Sequence, residues 1–61
     1  MTRYRCVVHQ STGNFIPYSG LNFMAASDAA HDYINVGHMI TVDRNDGHGW
    51  VNCSTVYPGR V

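Results

Sequence analysis

The sequence predicts a small α+β two-layer sandwich, in which an antiparallel sheet of about four strands (ββαββ) carries one short helix on one face. Three observations predict it. Residues near both ends alternate between apolar and polar as strands do, a capped helical stretch lies between them, and Asn45-Asp46-Gly47-His48-Gly49 has the chemistry of a hairpin turn.

From Tyr4 to His9 the chain is β-branched and aromatic, with Tyr4, Cys6 and Val8 alternating with Arg5, Val7 and His9. That is one strand with two unlike faces. Gln10 to Asn14 is turn chemistry. Phe15-Ile16-Pro17-Tyr18 is apolar, but Pro17 has no N–H for a ladder and suits an edge strand or a wide loop. After Ser19-Gly20 the run Leu21 to Ala26 is the expected second strand, leaving Gln10 to Gly20 as a long loop. Its Phe15 and Tyr18 are expected to pack onto the rest.

Ser27 is placed as an N-cap with Asp28 in the first turn, and a helix is expected from Asp28 to Val36. Ala29, Ala30, Tyr33, Ile34 and Val36 fall on one face, while Asp28, His31, Asp32 and Asn35 fall on the other. Gly37 is the expected left-handed residue that ends the helix. His38 to Arg44 resumes strand alternation, with Ile40 and Val42 opposite in sense to Met39, Thr41 and Asp43. Trp50 to Tyr57 is the last strand, which Pro58-Gly59 stops, and Arg60-Val61 reads as a loose end. The expected inward positions are Tyr4, Cys6, Val8, Phe23, Ala25, Tyr33, Ile34, Ile40, Val42, Val51 and Cys53.

A chain of 61 residues makes one domain, 1–61, and hides only ~60% of its unfolded surface on folding. A core of that size supplies ~3–5 kcal/mol unless a disulfide, a metal or a partner adds to it. Four Arg balance four Asp, and there is neither Lys nor Glu. Only 13% of residues are charged, against ~25% for an ordinary domain, so little charge remains to keep molecules apart. No basic patch steers the chain to nucleic acid or to an anionic membrane. No run approaches the ~18 apolar residues of a span. Arg3 and Arg5 are followed only by Cys6-Val7-Val8, which is too short for a signal peptide. The expected location is the cytoplasm of a bacterium or of a virus-infected host cell.

Metal and catalytic readings are weaker. Cys6-Val7-Val8-His9 and His48-Gly49-Trp50-Val51-Asn52-Cys53 contain zinc-ligand types. Cys6 and His9 on one regular strand nevertheless point to opposite faces, so no metal is expected, and a small zinc-binding domain stands as the second alternative. A Cys6–Cys53 disulfide requires the first and last strands to be neighbours, and a reducing cytoplasm favours free buried thiols. Cys53 with His9 or His48 is the only nucleophile and base set, and a chain of 61 residues has little room for a pocket with a preorganised oxyanion site. No catalytic residue and no cofactor are therefore expected, and the chain is not read as an enzyme. Asp28, His31 and Asp32 read as a solvated helix face.

One helix covers one face of a sheet, so the other must meet water or a partner. By alternation the open face carries Arg3, Arg5, Val7, His9, Met39, Thr41, Trp50, Asn52, Ser54 and Val56. Trp, Met and Arg are enriched in interface cores. The expected partner-binding residues are Arg5, His9, Trp50 and Asn52, with Phe15 and Tyr18 as a second patch. The expected function is a small protein-binding module, an inhibitor or adaptor of the kind that phages and mobile elements encode, with a homodimer through the same face as one form of it. The first alternative is a single-stranded nucleic-acid binder that stacks bases on Arg5, His9 and Trp50. The balance of Arg by Asp makes it the less favoured partner class.

Overall fold

Strand alternation from Arg3 onward builds β1 (Arg3–Gln10), and a two-residue turn at Ser11-Thr12 returns the chain as β2 (Gly13–Gly20). The computed structural model describes residues 1–33 and 37–56. Helix α1 (Phe23–Asp32) follows, then β3 (Met39–Asn45) and β4 (Trp50–Val56). The four strands form one sheet in the order β2-β1-β3-β4, and every neighbouring pair is antiparallel. Strands β2 and β3 therefore run parallel on either side of β1, and α1 is the crossover between them. The small α+β fold with a single antiparallel sheet and one short helix is the one expected.

Helix α1 packs against β1, β2 and β3. Between the layers lie Cys6, Val8, Ile40 and Val42 from the sheet and Ala26 and Ala30 from the helix. Ala26 and Ala30 are four apart and share one stripe, so the helix axis can come close to the strands. Tyr4, Tyr18, Ala29, Tyr33 and Val56 close the margins. The chain reversal after β3 follows expectation: Gly47 and Gly49 take φ of 105° and 109°, and the Asn45 side-chain oxygen accepts from the N–H of both.

Three expectations are corrected. The second strand is Gly13–Gly20 and not Leu21 to Ala26, so Phe15 and Tyr18 lie on a strand rather than in a loop. Pro17 is tolerated because β2 is an edge and because the register shifts there: Cys6 faces Tyr18 and Val8 faces Phe15, which sets Ile16 and Pro17 against the single Val7.

The helix starts at Phe23, five residues before the expected Asp28. Asn22 is the cap, its Oδ1 accepting from Met24 N at 2.8 Å and from Ala25 N at 3.3 Å, and this takes the first turn away from Ser27. Ser27 becomes an interior helical residue. The helix ends at Asp32 with Tyr33 as its C-cap rather than running to Val36, so Gly37 does not terminate it, although Gly37 has the expected positive φ, 84°. The expected inward Ile34 and the face positions Asn35 and Val36 lie outside the described residues, as do Tyr57 to Val61.

The third correction is a bulge in β4. Val42 faces Ser54 while Asp43 faces Asn52, so Cys53 is an extra residue with no partner. Alternation inverts there. Trp50 and Asn52 stay on the open face, but Ser54 and Val56 turn to the helix side, where Val56 packs on the core. Cys53 is exposed and Val51 is 67% exposed, so neither is a core residue. Both belong to the strand furthest from the helix. Phe23 is also largely outside the core, resting its ring edge-on against Tyr4 at 5.4 Å.

Candidate functional site on the open sheet face

Arg5 stands near the middle of β1, facing Ser19 of β2 on one side and Asp43 of β3 on the other. Residues paired across strands point to the same face, and this one is turned away from the helix. Arg5 Nε donates to Asp43 Oδ2 at 3.0 Å. The same guanidinium lies over the Trp50 ring, its carbon 4.3 Å from the centroid, well within the ~6 Å reach of a cation–π contact. Trp50 arrives there because it faces Asn45 across the β3–β4 ladder, two residues along from Asp43. A cation, a carboxylate and an indole from three strands thus form one cluster.

Beside it, Val7 faces Thr41, and both are nearly inaccessible at 3% and 6% exposure. Asp43 is likewise only 8% exposed. No strand or helix among the described residues lies over this face. Its floor is shielded by the long side chains of its own strands: Arg5, which is bonded to Asp43 and lies over Trp50, and His9, whose Nε2 shares a 2.9 Å hydrogen bond with Thr41 Oγ1. Asn52 Nδ2 donates to Thr55 Oγ1 at 2.7 Å across the bulge. No buried side-chain polar atom among the described residues lacks a partner.

Four of the expected residues, Arg5, His9, Trp50 and Asn52, therefore share one face. Phe15 and Tyr18 do not join them. Phe15 faces Val8 and sets its ring edge-on to Tyr33 at 5.5 Å, and Tyr18 faces Cys6 and packs on the core while its hydroxyl accepts from Asn22 N–H. They form a seam between β2 and the helix. Asp43 is the member that sequence reasoning missed. Its signal was the opposite charge of Arg5 and Asp43 on strands with the same alternation, which acquires meaning only when β1 and β3 are known to be neighbours.

Other arrangements are less organised. Cys6 lies in the core of β1 and Cys53 is exposed on β4, and both are free thiols on strands that are not neighbours. Burial, and then the charge of Asp43, push the Cys6 thiol above its ordinary pKa. Among the described residues no group of three or more His, Cys, Asp or Glu is placed to hold a metal ion. A half-open cavity of about 310 Å³ lies at the β3–β4 hairpin, lined by Arg44, Asp46, His48 and Cys53 among others. Arg44 and Asp46 are already engaged with each other there at 3.0 Å. Among the described residues no helix is long and apolar enough to cross a membrane. Comparison with protein-family models, with curated proteins and with solved structures finds no match for this chain.

Proposed function

We propose that this chain is a protein-binding module, an inhibitor or adaptor working in a cytoplasm, and that it recognises its partner through the open sheet face centred on Arg5 and Trp50. One observation carries the reading. Arg5 sits over the Trp50 ring and is bonded to Asp43, so two residue types that dominate binding hot spots are already ordered on a face that no other element among the described residues covers. A partner that docks there does not have to order them, and this preorganisation saves part of the entropy that association otherwise costs.

The same contacts weigh against a single-stranded nucleic acid. A base needs a free aromatic face and a phosphate needs a free cation. Here one face of Trp50 is taken by Arg5, and Arg5 is neutralised by Asp43.

The test is differential capture with the wild type, Trp50→Ala and Asp28→Ala, the last on the exposed surface of the helix. Proteins held by the wild type and by Asp28→Ala should be lost by Trp50→Ala, with affinity weakened about thirtyfold or more for a hot-spot residue. Circular dichroism checks that the variant remains folded. Retention of the same set by Trp50→Ala would overturn the assignment. Binding of single-stranded oligonucleotides that falls steeply with salt would replace it with the nucleic-acid reading. Sedimentation of the same three proteins shows whether the partner is a second copy.

A further inference from the structure

The β3–β4 turn contains Asp46-Gly47, a pair in which the aspartyl carboxyl condenses readily with the next backbone nitrogen because glycine has no side chain to obstruct the approach. In that reaction a bond forms from Gly47 N to Asp46 Cγ, the carboxyl C–O bond breaks, and the hydroxyl leaves with the amide proton as water. A five-membered succinimide results. Water then opens the ring at either carbonyl, giving back aspartate or giving isoaspartate, in which the main chain runs through the former side chain and is one carbon longer. The net change is an isomerisation, with no oxidant or reductant.

The reaction needs a carboxyl that can swing toward Gly47 N, a proton on that carboxyl, and an amide free to lose its hydrogen. All three are opposed here. Thr2 Oγ1 donates to Asp46 Oδ1 at 2.8 Å, and Arg44 Nε donates to the same oxygen at 3.0 Å. The Gly47 N–H is itself engaged, donating to Asn45 Oδ1 at 2.7 Å. We propose that Asp46-Gly47 is a site of spontaneous isoaspartate formation gated by the N-terminal segment, with Thr2 as the latch and Arg44 as its support. Thr2 and then Arg44 also hold the carboxyl below the usual carboxylate range, which depletes its protonated form near neutral pH.

The latch joins residues 44 apart in sequence, so the site opens when the first residues leave the hairpin, well before the sheet itself unfolds. Isomerisation has a local consequence. An extra backbone carbon at Asp46 displaces the Asn45–Trp50 rung that closes the hairpin, and so loosens Trp50 from Arg5. This inference does not rest on the binding role of that face, because its readout is covalent.

The experiment is incubation of the full chain in ¹⁸O-labelled water at neutral pH, followed by digestion and mass spectrometry of the turn peptide, since each succinimide hydrolysis leaves one heavy oxygen at Asp46. The native wild type should gain label more slowly than the same chain in urea. Thr2→Val, which keeps the shape and removes the donor, should speed labelling severalfold, because the carboxyl is then free to swing toward Gly47 N. Ile40→Val lowers global stability without touching the turn and should stay close to the wild-type rate. Equal rates for native and urea-treated wild type overturn the proposal. So does a Thr2→Val rate equal to wild type, or an Ile40→Val acceleration as large as that of Thr2→Val.

Discussion

The two faces of the sheet bury their central residues by different means. On one face a helix lies across Cys6, Val8, Ile40 and Val42, and Ala26 and Ala30 fill the space between. On the other there is no second layer among the described residues, yet Val7, Thr41 and Asp43 are nearly as inaccessible. There the cover is a set of side chains from the sheet itself, Arg5 laid over Trp50 and tied to Asp43, with His9 tied to Thr41. A helix is a rigid roof fixed by many backbone hydrogen bonds. Side chains are a roof that can lift, which is what a face that meets a partner requires.

Adjacent valines measure this difference most directly, because Val7 and Val8 are the same residue on opposite faces, at 3% and 0% exposure. Val8→Ala is expected to cost about 2–3 kcal/mol, since the helix cannot settle into the space it leaves. That is a large share of the ~3–5 kcal/mol that a core this small supplies. Val7→Ala should cost about 1 kcal/mol, because Arg5 and His9 can relax into the gap. Equal shifts in urea midpoint would mean that the two roofs are equally stiff.

The ion pair on the open face comes next. Arg5→Ala leaves the Asp43 carboxylate buried without its partner and is expected to cost about 1–3 kcal/mol, less than for a fully buried pair because the Arg5 side chain is 28% exposed. Adding Asp43→Asn to Arg5→Ala should recover part of the loss. A double-mutant cycle with no coupling would show that the pair does not hold the cluster together.

The smallest effect concerns the helix face and is read through pH. The raised pKa of Cys6 means that folding favours the protonated thiol. The associated stability is intact below the ordinary thiol range and is lost as pH rises toward the folded value. Unfolding midpoints of the wild type should therefore fall with alkaline pH, and Cys6→Ala should remove that part of the slope. An unchanged slope would place its origin in another group.

The two edges of the sheet are alike where its faces differ. Strand β2 is bulged opposite Val7 and β4 is bulged at Cys53, and Pro17 also interrupts the donor row of β2. Bulges twist an edge and spoil it as a template for further strands. The bulged edges are thus consistent with the proposal that a partner docks on the open face rather than on an edge.

Most facing directions were readable from local chemistry, and so were the element types outside Gly13 to Ala26, where the expected loop is strand β2 and the expected strand is the start of the helix. Alternation around Val7 and Val8, and again around Ile40 to Val42, determines which residues can share a face, and Asn45 to Gly49 determines a reversal, because pleat and turn geometry depend only on a few neighbouring residues. Where the helix began was less legible. Asn22 and Ser27 are both competent caps, and the choice between them rests on which start lays Ala26 and Ala30 against β1 and β3. Strand order, the pairing of Arg5 with Asp43, and the bulge that turns Val56 inward while leaving Cys53 outside belong to the tertiary structure alone. They arise from hydrogen bonds between residues tens of positions apart, and no local pattern specifies which strands will meet.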